Sequence, residues 1–571
     1  MRNPIHSLLF LLLAAPLAAQ IPVYELTGFA AGDNFGKRLV RIGDLDGDGK
    51  EDLLVAAPRA NFNGVNSGSV YAFSSATGSE IYRMDGASSG DLFGEALDRI
   101  GDVNADGIDD WIVGSPFSSA GSTRSGLVEL RSGANGASLI SDVGGEAFAN
   151  LGTAVAGLGD LNGDSIPDLA VSAPFEDANG MDAGVVYLYS GATFALIRSH
   201  VGTAAGDRLG LALLNAGDAD GDGDDDYAIG TFYTNAGLGS VEVISGQSGA
   251  SLQTFSGSAQ TGPIGTIVGR LADMSGDGRA QLAIAAPEDS SSGSTTGAVY
   301  VYSISSATLV QSKVGSSGQT LGLAVANAGD WNGDGQADWI AGRQDGLGNG
   351  GAVIYSGLDG SLLSEQMGNS TNDLLGSSFA GGFDLDGDLR AEYAIGDPSA
   401  NSAGNDSGSV LMISAASLLG SPQCLGNGTG IGCPCGNVSG NSGGCSNSTG
   451  NGARVVASGS ASASADDLMF HVSDAAPNKP SLLFAGTQTV NGGNGSFLGD
   501  GILCAAGAIT RIQVRTTNST GEADWGPGIL SSQGWSAGLD RHFQVWYRDP
   551  SGGPCGSQSN LSNGLLLHLT P

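Results

Sequence analysis

Apolar residues along this chain fall in short runs and alternations, with no sustained helical period. A continuous run such as LLVAAP, ending at Pro58, is followed by a Gly-led alternating segment, GSVYAFS from Gly68, and then by EIYRMDG from Glu80. The succession returns as WIVGSP to Pro116, as LAVSAP to Pro174 with GVVYLYS from Gly184 and ALIRSHVG from Ala195, and as LAIAAP to Pro287 with GAVYVYS from Gly297. Short apolar runs and period-two alternations bounded by Gly, Asn and Ser are strands joined by turns. Each unit holds four of them, which predicts an antiparallel four-stranded sheet.

An acidic loop punctuates every unit. DLDGDGKED starts at Asp44, DVNADGIDD at Asp102, DLNGDSIPD at Asp160, DADGDGDDD at Asp218, DMSGDGRAQ at Asp273, DWNGDGQAD at Asp330 and DLDGDLRAE at Asp384. Their first residues are 58, 58, 58, 55, 57 and 54 apart. About nine residues before each loop comes an aromatic or aliphatic residue and a glycine: Phe35-Gly36, Phe93-Gly94, Leu151-Gly152, Leu209-Gly210, Ile264-Gly265, Leu321-Gly322 and Leu375-Gly376. Such a period marks a repeat architecture. One sheet cannot bury both of its faces, whereas seven packed radially can, and closing the ring leaves few open edges.

The Phe-Gly element, the acidic loop and the Ala-Pro element, in that order, resemble the FG-GAP repeat, the unit of the integrin α-subunit propeller, over about residues 21–416. The resemblance implies seven blades, in agreement with the seven loops. It also implies that partners bind the face opposite the acidic hairpins, on the loops joining strands two to three and four to one. The former carry Phe62, Phe117, Phe175, Phe232 and Tyr233, which either anchor a partner or pack beneath their own loops. Two units are worn: Gly230-Thr231-Phe232 and Ala341-Gly342-Arg343 replace the Ala-Pro element. The seventh unit ends at GSVLMIS (408–414) without a fourth strand, while PVYELTG (22–28) has the form of a fourth strand with nothing before it. An unpaired edge invites aggregation, so these two segments are expected to pair and close the ring.

The loops have the donor pattern of calcium sites. Calcium takes about six to eight oxygens in flexible geometry. Positions 1, 3, 5 and 9 supply side-chain oxygens and position 7 a backbone carbonyl. The sets are Asp44, Asp46, Asp48 and Asp52 with Lys50; Asp102, Asn104, Asp106 and Asp110 with Ile108; and Asp160, Asn162, Asp164 and Asp168 with Ile166. They continue with Asp218, Asp220, Asp222 and Asp226 with Asp224; Asp330, Asn332, Asp334 and Asp338 with Gln336; and Asp384, Asp386, Asp388 and Glu392 with Arg390. The Asp273 loop has Ser275 and Gln281 in place of two carboxylates and reads as an empty turn. An EF-hand would place Glu at position 12 and flank the loop with helices; here position 12 is Val55, Val113, Val171, Ile229, Ile284, Ala341 or Ile395. These are hairpin loops within a blade. They imply about five or six calcium ions with a structural role, each neutralising clustered carboxylates and stabilising the folded state by mass action.

Charge and ends complete the picture. The net charge of −35 opposes binding to nucleic acid or anionic membranes. A positive start at Arg2, the apolar stretch from Leu8 to Leu13 and small residues to Ala19 form a secretory signal peptide over 1–19. No later stretch spans a membrane. The expected chain is therefore secreted or held at the cell surface, with a propeller over 20–416. All six cysteines (Cys424, Cys433, Cys435, Cys445, Cys504, Cys555) lie beyond it, in or after a Gly/Asn/Ser-rich linker over 417–452. Runs such as DLMFHVS, PSLLFAG, ITRIQVRT and HFQVWYRD then predict a small β-sandwich over 453–571, stapled by disulfides. The fold class is all-β: a seven-bladed β-propeller followed by that sandwich. Trp525, Trp535, Trp546 and Tyr547 could stack on sugar rings, but core packing is the commoner fate of such residues. Little supports an enzyme: no nucleophile elbow, phosphate loop or zinc-protease motif occurs, and there are four lysines. The leading expectation is a monomeric adhesion or ligand-binding module for an extracellular protein or glycan. The alternatives are a polysaccharide-acting enzyme on the same scaffold and a purely structural surface protein.

Overall fold

The computed structural model describes residues 21–571 apart from 259–260, 292–295, 333–334, 347, 369–371, 384, 386–390, 415–420, 424–432, 435–443, 451, 459–465, 467, 491–495, 537, 550–557 and 570–571. Among the calcium-loop residues this leaves Asp334, Asp384, Asp386, Asp388 and Arg390 outside the described set, with Cys424, Cys435, Cys555 and the signal-peptide segment. The chain forms two compact units, one ending at Ala415 and one running from Ala416.

The first unit contains seven four-stranded antiparallel sheets. Blade one is Arg38–Ile42, Asp52–Ala57, Ser69–Phe73 and Glu80–Asp85, in that order from one edge to the other. Blades two to six follow in chain order. First-strand residues of all seven blades, among them Leu39, Leu97, Val155, Ala212, Val268, Val325 and Phe379, border one central cavity, so the sheets stand radially around it. The second strands are buried at every position in Asp52–Ala57, Asp110–Ser115, Asp226–Thr231 and Gln281–Ala286, because each lies between neighbouring blades. That is why they read as unbroken apolar runs. The outer strand Ser138–Val143 has no fully buried position, and its sequence is correspondingly mixed.

The repeated Phe-Gly element has a steric cause. Phe35 and Phe93 are fully covered, and the glycine after each lies in the left-handed region, with φ of +88° at Gly36 and +94° at Gly94. Gly94 N–H donates to the carbonyl of Gly114 on the second strand of the blade it introduces (3.2 Å). A Cβ on Gly114 would fall 2.0 Å from the carbonyl oxygen of Gly152, so blades pack backbone to backbone at the small-small positions before the proline.

Ring closure follows the expectation. Ile21–Thr27 pairs antiparallel with Ser409–Ser414, with Leu26 opposite Val410 and Thr27 opposite Ser409. The N-terminal strand is thereby the fourth strand of blade seven. Outer strands also clasp the next blade. The hydroxyl of Tyr24 donates to the carbonyl of Ser75 (2.7 Å), that of Tyr82 to Gly133 (2.9 Å), the Arg198 guanidinium to Gly246 (3.2 Å) and the Gln311 amide to Gly357 (2.6 Å). Each acceptor lies in the hairpin joining strands three and four of the following blade.

In the second unit, a five-stranded sheet runs Ser421–Gln423, Ser559–His568, Asp540–Arg548, Pro480–Gly486, Thr510–Thr516. A three-stranded sheet holds Arg454–Ser458, Met469–Ser473 and Ala523–Trp525. Val455, Phe470 and Trp525 of the smaller sheet share one apolar cluster with Leu483, Phe543 and Tyr547 of the larger, so the two sheets form a sandwich. Trp525 and Tyr547 are wholly inside that core, which favours their structural reading over sugar stacking. A disulfide joins Cys433 and Cys445, and Cys504 is also disulfide-bonded.

Candidate metal centre

Each acidic loop lies between the first and second strands of its blade, so the described loops emerge on one face of the ring. In blade one the loop runs between Arg38–Ile42 and Asp52–Ala57. Its conformation is written by the side chain at position 1. Asp44 accepts from Gly47 N–H (2.7 Å), Asp48 N–H (3.2 Å) and Gly49 N–H (2.8 Å), while Asp46 accepts from Asp48 N–H (3.0 Å). Lys50 N–H donates to Asp48 (2.8 Å). The left-handed turns this requires fall on Gly47 and Gly49.

The same bonds recur around the ring. The N–H at position 6 donates to the position-1 carboxylate at 2.8 Å in the Asp102 loop, 2.6 Å in the Asp160 loop, 3.2 Å in the Asp218 loop and 2.9 Å in the Asp330 loop. Ser165 fills position 6 of the third loop with φ +68°, so that loop keeps its shape without the expected glycine. Asp44, Asp46 and Asp48 each bring one oxygen within 4.8 Å of the others, and Asp218, Asp220 and Asp222 do likewise. Oxygens about 2.4 Å from a shared calcium ion lie at most about 4.8 Å apart, so both groups fit that ion's donor set. In the second and third loops an asparagine, Asn104 or Asn162, replaces the middle carboxylate and accepts the position-5 N–H at 2.9 Å in each.

Position 9 does more than the ligand pattern implies. Asp52 is fully buried; its two oxygens accept Leu45 N–H (2.7 Å) from its own loop and Ser75 N–H (3.2 Å) from the hairpin joining strands three and four. Asp110 does the same with Val103 and Gly133, Asp168 with Leu161 and Gly191, Asp226 with Ala219 and Gly246, and Asp338 with Trp331 and Gly357. Glu392 takes Leu385 N–H (2.6 Å) and the Ser414 hydroxyl (2.9 Å). The ninth residue thus pins the loop to the blade. Burial pushes the Asp52 carboxyl up to about 6 and raises those of Asp110, Asp168 and Asp226. A bound cation would oppose that shift.

The opposite face carries the aromatic residues of the loops between strands two and three. Phe62 and Tyr233 are 45% and 48% exposed, while Phe117, Phe175 and Phe232 are half-buried. Arginines that the sequence pattern did not single out lie over the rings. Arg83 is 3.6 Å from the Phe62 centroid, Arg124 is 5.1 Å from Phe117, and Arg208 is 5.1 Å from Phe175 and 5.2 Å from Tyr233. Arg83 and Arg208 come from other segments than the aromatics they cover, so no local pattern could have revealed the pairs.

The FG-GAP repeat family matches residues 40–73 and 151–189, which fall in blades one and three. Integrin alpha-V of Gallus gallus is 32% identical over 220 residues, 36% of this chain and 20% of that protein. Integrin alpha pat-2 of Caenorhabditis briggsae is 30% identical over 33% of this chain and 17% of its own length, and integrin alpha-8 of Gallus gallus 34% identical over 28% and 15%. The matched stretch is thus a fifth or less of each relative. A solved chain of BBS1N in complex with ARL6DN aligns over 70% of this chain and 97% of its own at 13% identity, with a TM-score of 0.42. With its repeats and its seven sheets, this chain is an FG-GAP repeat protein with an integrin-α-like β-propeller.

Proposed function

We propose that this chain is an exported, calcium-binding propeller that serves as an adhesion or ligand-binding module, with calcium in a structural role. The observation that carries the calcium reading is the set of acidic loops on one face, wound by one repeated pattern of N–H donors. In the first and fourth, three carboxylates converge within 4.8 Å. Asp44, Asp46, Asp48 and Asp52 with the Lys50 carbonyl would hold the ion in blade one, and the matching residues of the other intact loops would do so in theirs. The ion would neutralise carboxylates that otherwise repel one another, and it would tie the loop to the buried pin at position 9.

The likeness to integrin α subunits supports the binding role, as does export through residues 1–19. No helix among the described residues is long and apolar enough to cross a membrane. The ligand is an extracellular protein or glycan, met by the face opposite the acidic loops. There Phe62 and Tyr233 offer exposed rings beside guanidinium groups, and tyrosine and arginine are among the residues enriched at interface hot spots.

Two measurements test this. Chelation should lower the melting temperature of the purified protein and added calcium should restore it, with Asp48→Ala and Asp106→Ala each removing about one bound ion by metal analysis. An unchanged melting curve together with no bound calcium refutes the metal reading. Glycan-array and surface-protein pull-down screens, with and without calcium, should then return a ligand whose binding is lost in Phe62→Ala/Tyr233→Ala while melting is unchanged. Undiminished binding by that variant would place the ligand elsewhere.

A further inference from the structure

The fifth loop has the backbone of its neighbours but fills its centre differently. Asp273 accepts from Gly276 N–H (2.7 Å) and Gly278 N–H (2.7 Å), as position 1 does elsewhere. At position 9, fully buried Gln281 accepts Met274 N–H through its carbonyl oxygen, reproducing the pin. Its amide nitrogen then donates to the Ser275 hydroxyl (3.0 Å) and to the backbone carbonyl of Arg279 (3.2 Å). Those two oxygens, at positions 3 and 7, are ones the other loops would offer to a cation. Asp277, at position 5, is drawn off to the Ser305 hydroxyl (2.7 Å). At position 9, where the other loops have a carboxylate, this loop thus sets a side-chain N–H donor against the oxygens at positions 3 and 7.

The side chain at position 7 goes elsewhere. The Arg279 guanidinium donates to the carbonyl of Ala219, in the acidic loop of blade four, and any side chain on Gly221 would collide with it. Gly221 lies between Asp220 and Asp222, two of the three converging carboxylates. In earlier blades the matching contact is apolar: Leu45 shares a cluster with Ile108, and Val103 with Ile166. Position 2 is larger in every other loop (Leu45, Val103, Leu161, Met274, Trp331, Leu385), so alanine at 219 opens the approach.

We infer that the fifth repeat takes no cation, the Gln281 carboxamide standing in for one, and that its Arg279 acts on the fourth repeat's cation site as a resident positive charge, lowering that site's affinity below what its own carboxylates would give it. This rests on the calcium reading above. A unit charge seated at the Gly221 backbone, between Asp220 and Asp222, lowers the attraction left for a divalent ion, an effect of about three- to tenfold in affinity at such a partly solvated site.

The test is calcium titration of the full chain, with terbium luminescence and metal analysis as readouts. Asp277→Ala should leave the number of bound ions unchanged, and Ser275→Asp/Gln281→Asp should add one. Asp222→Ala should abolish one binding step, Arg279→Gln should tighten that same step about three- to tenfold, and Arg279→Lys should leave it near the parent value. Because Gln281 is buried and its double variant could fail to fold, the half-exposed Arg279 and exposed Asp277 variants decide the matter. Loss of an ion in Asp277→Ala, or an unmoved Asp222-dependent step in Arg279→Gln, overturns the inference while leaving calcium binding intact. A parent protein carrying no calcium overturns the metal reading and this inference together.

Discussion

At the scale of single residues, neighbouring aspartates in one loop do different work. Asp48 is exposed at the loop tip, whereas Asp52 is buried and satisfies two backbone N–H groups. In calcium-free protein, Asp48→Ala should change stability by less than about 0.5 kcal/mol. Asp52→Ala strands two buried donors and should cost about 2–4 kcal/mol; urea melts of the two variants measure the difference. A second buried carboxylate gives a pH signature. Asp397 ends the second strand of blade seven and accepts Leu374 N–H (2.9 Å) and Ser399 N–H (3.2 Å). Burial raises its carboxyl to about 6, with the nearby Asp373 adding to the shift. The folded state therefore holds this proton more tightly than the unfolded chain, whose ordinary value is about 3.9. Its charged form destabilises the fold above about pH 6, and that penalty is relieved as pH falls from about 6 to 4. Asp397→Asn should lack this gain, so between pH 7 and pH 5 the melting temperature of the parent should rise relative to that of the variant.

At the scale of elements, closure by the N-terminal strand is the test of the ring. Ile21–Thr27 covers the last open edge of blade seven, Leu26 enters the core shared by blades seven and one, and Tyr24 clasps the blade-one hairpin. Removing 21–28 exposes an apolar edge and breaks a contact that closes a very long loop. The shortened protein should be poorly soluble or melt well below the parent; equal melting would show that the ring closes otherwise. The clasps predict a smaller effect elsewhere: Arg198→Ala loses bonds to the carbonyls of Ser245, Gly246 and Gln247 at once and should lower stability by about 1–3 kcal/mol.

At the scale of the whole molecule, each unit has its own core: a large apolar cluster fills the sandwich and a succession of inter-blade clusters serves the ring. Scanning calorimetry should resolve two transitions. Chelator should shift the one belonging to the propeller, and reductant the one belonging to the unit that holds the Cys433–Cys445 bridge. A chelator-induced shift confined to the disulfide-bearing unit would contradict the placement of the ions.

The seven-fold repeat, the strand count and the acidic loops were legible in residue order, because they arise from local rules: period-two burial, glycine where the backbone turns left-handed, and oxygen side chains at fixed spacing. Closure was legible too, since PVYELTG had no unit of its own and the last unit lacked a strand. What only the tertiary structure decided are the contacts between residues far apart in the chain. The meeting of Arg83 with Phe62 across the blade-one sheet, the reach of Arg279 into the loop of blade four, and the pinning of Asp52 against Ser75 belong to this class. A repeat specifies its own hairpins through near neighbours, but which side chain fills the gap between two blades depends on the volumes both of them leave there.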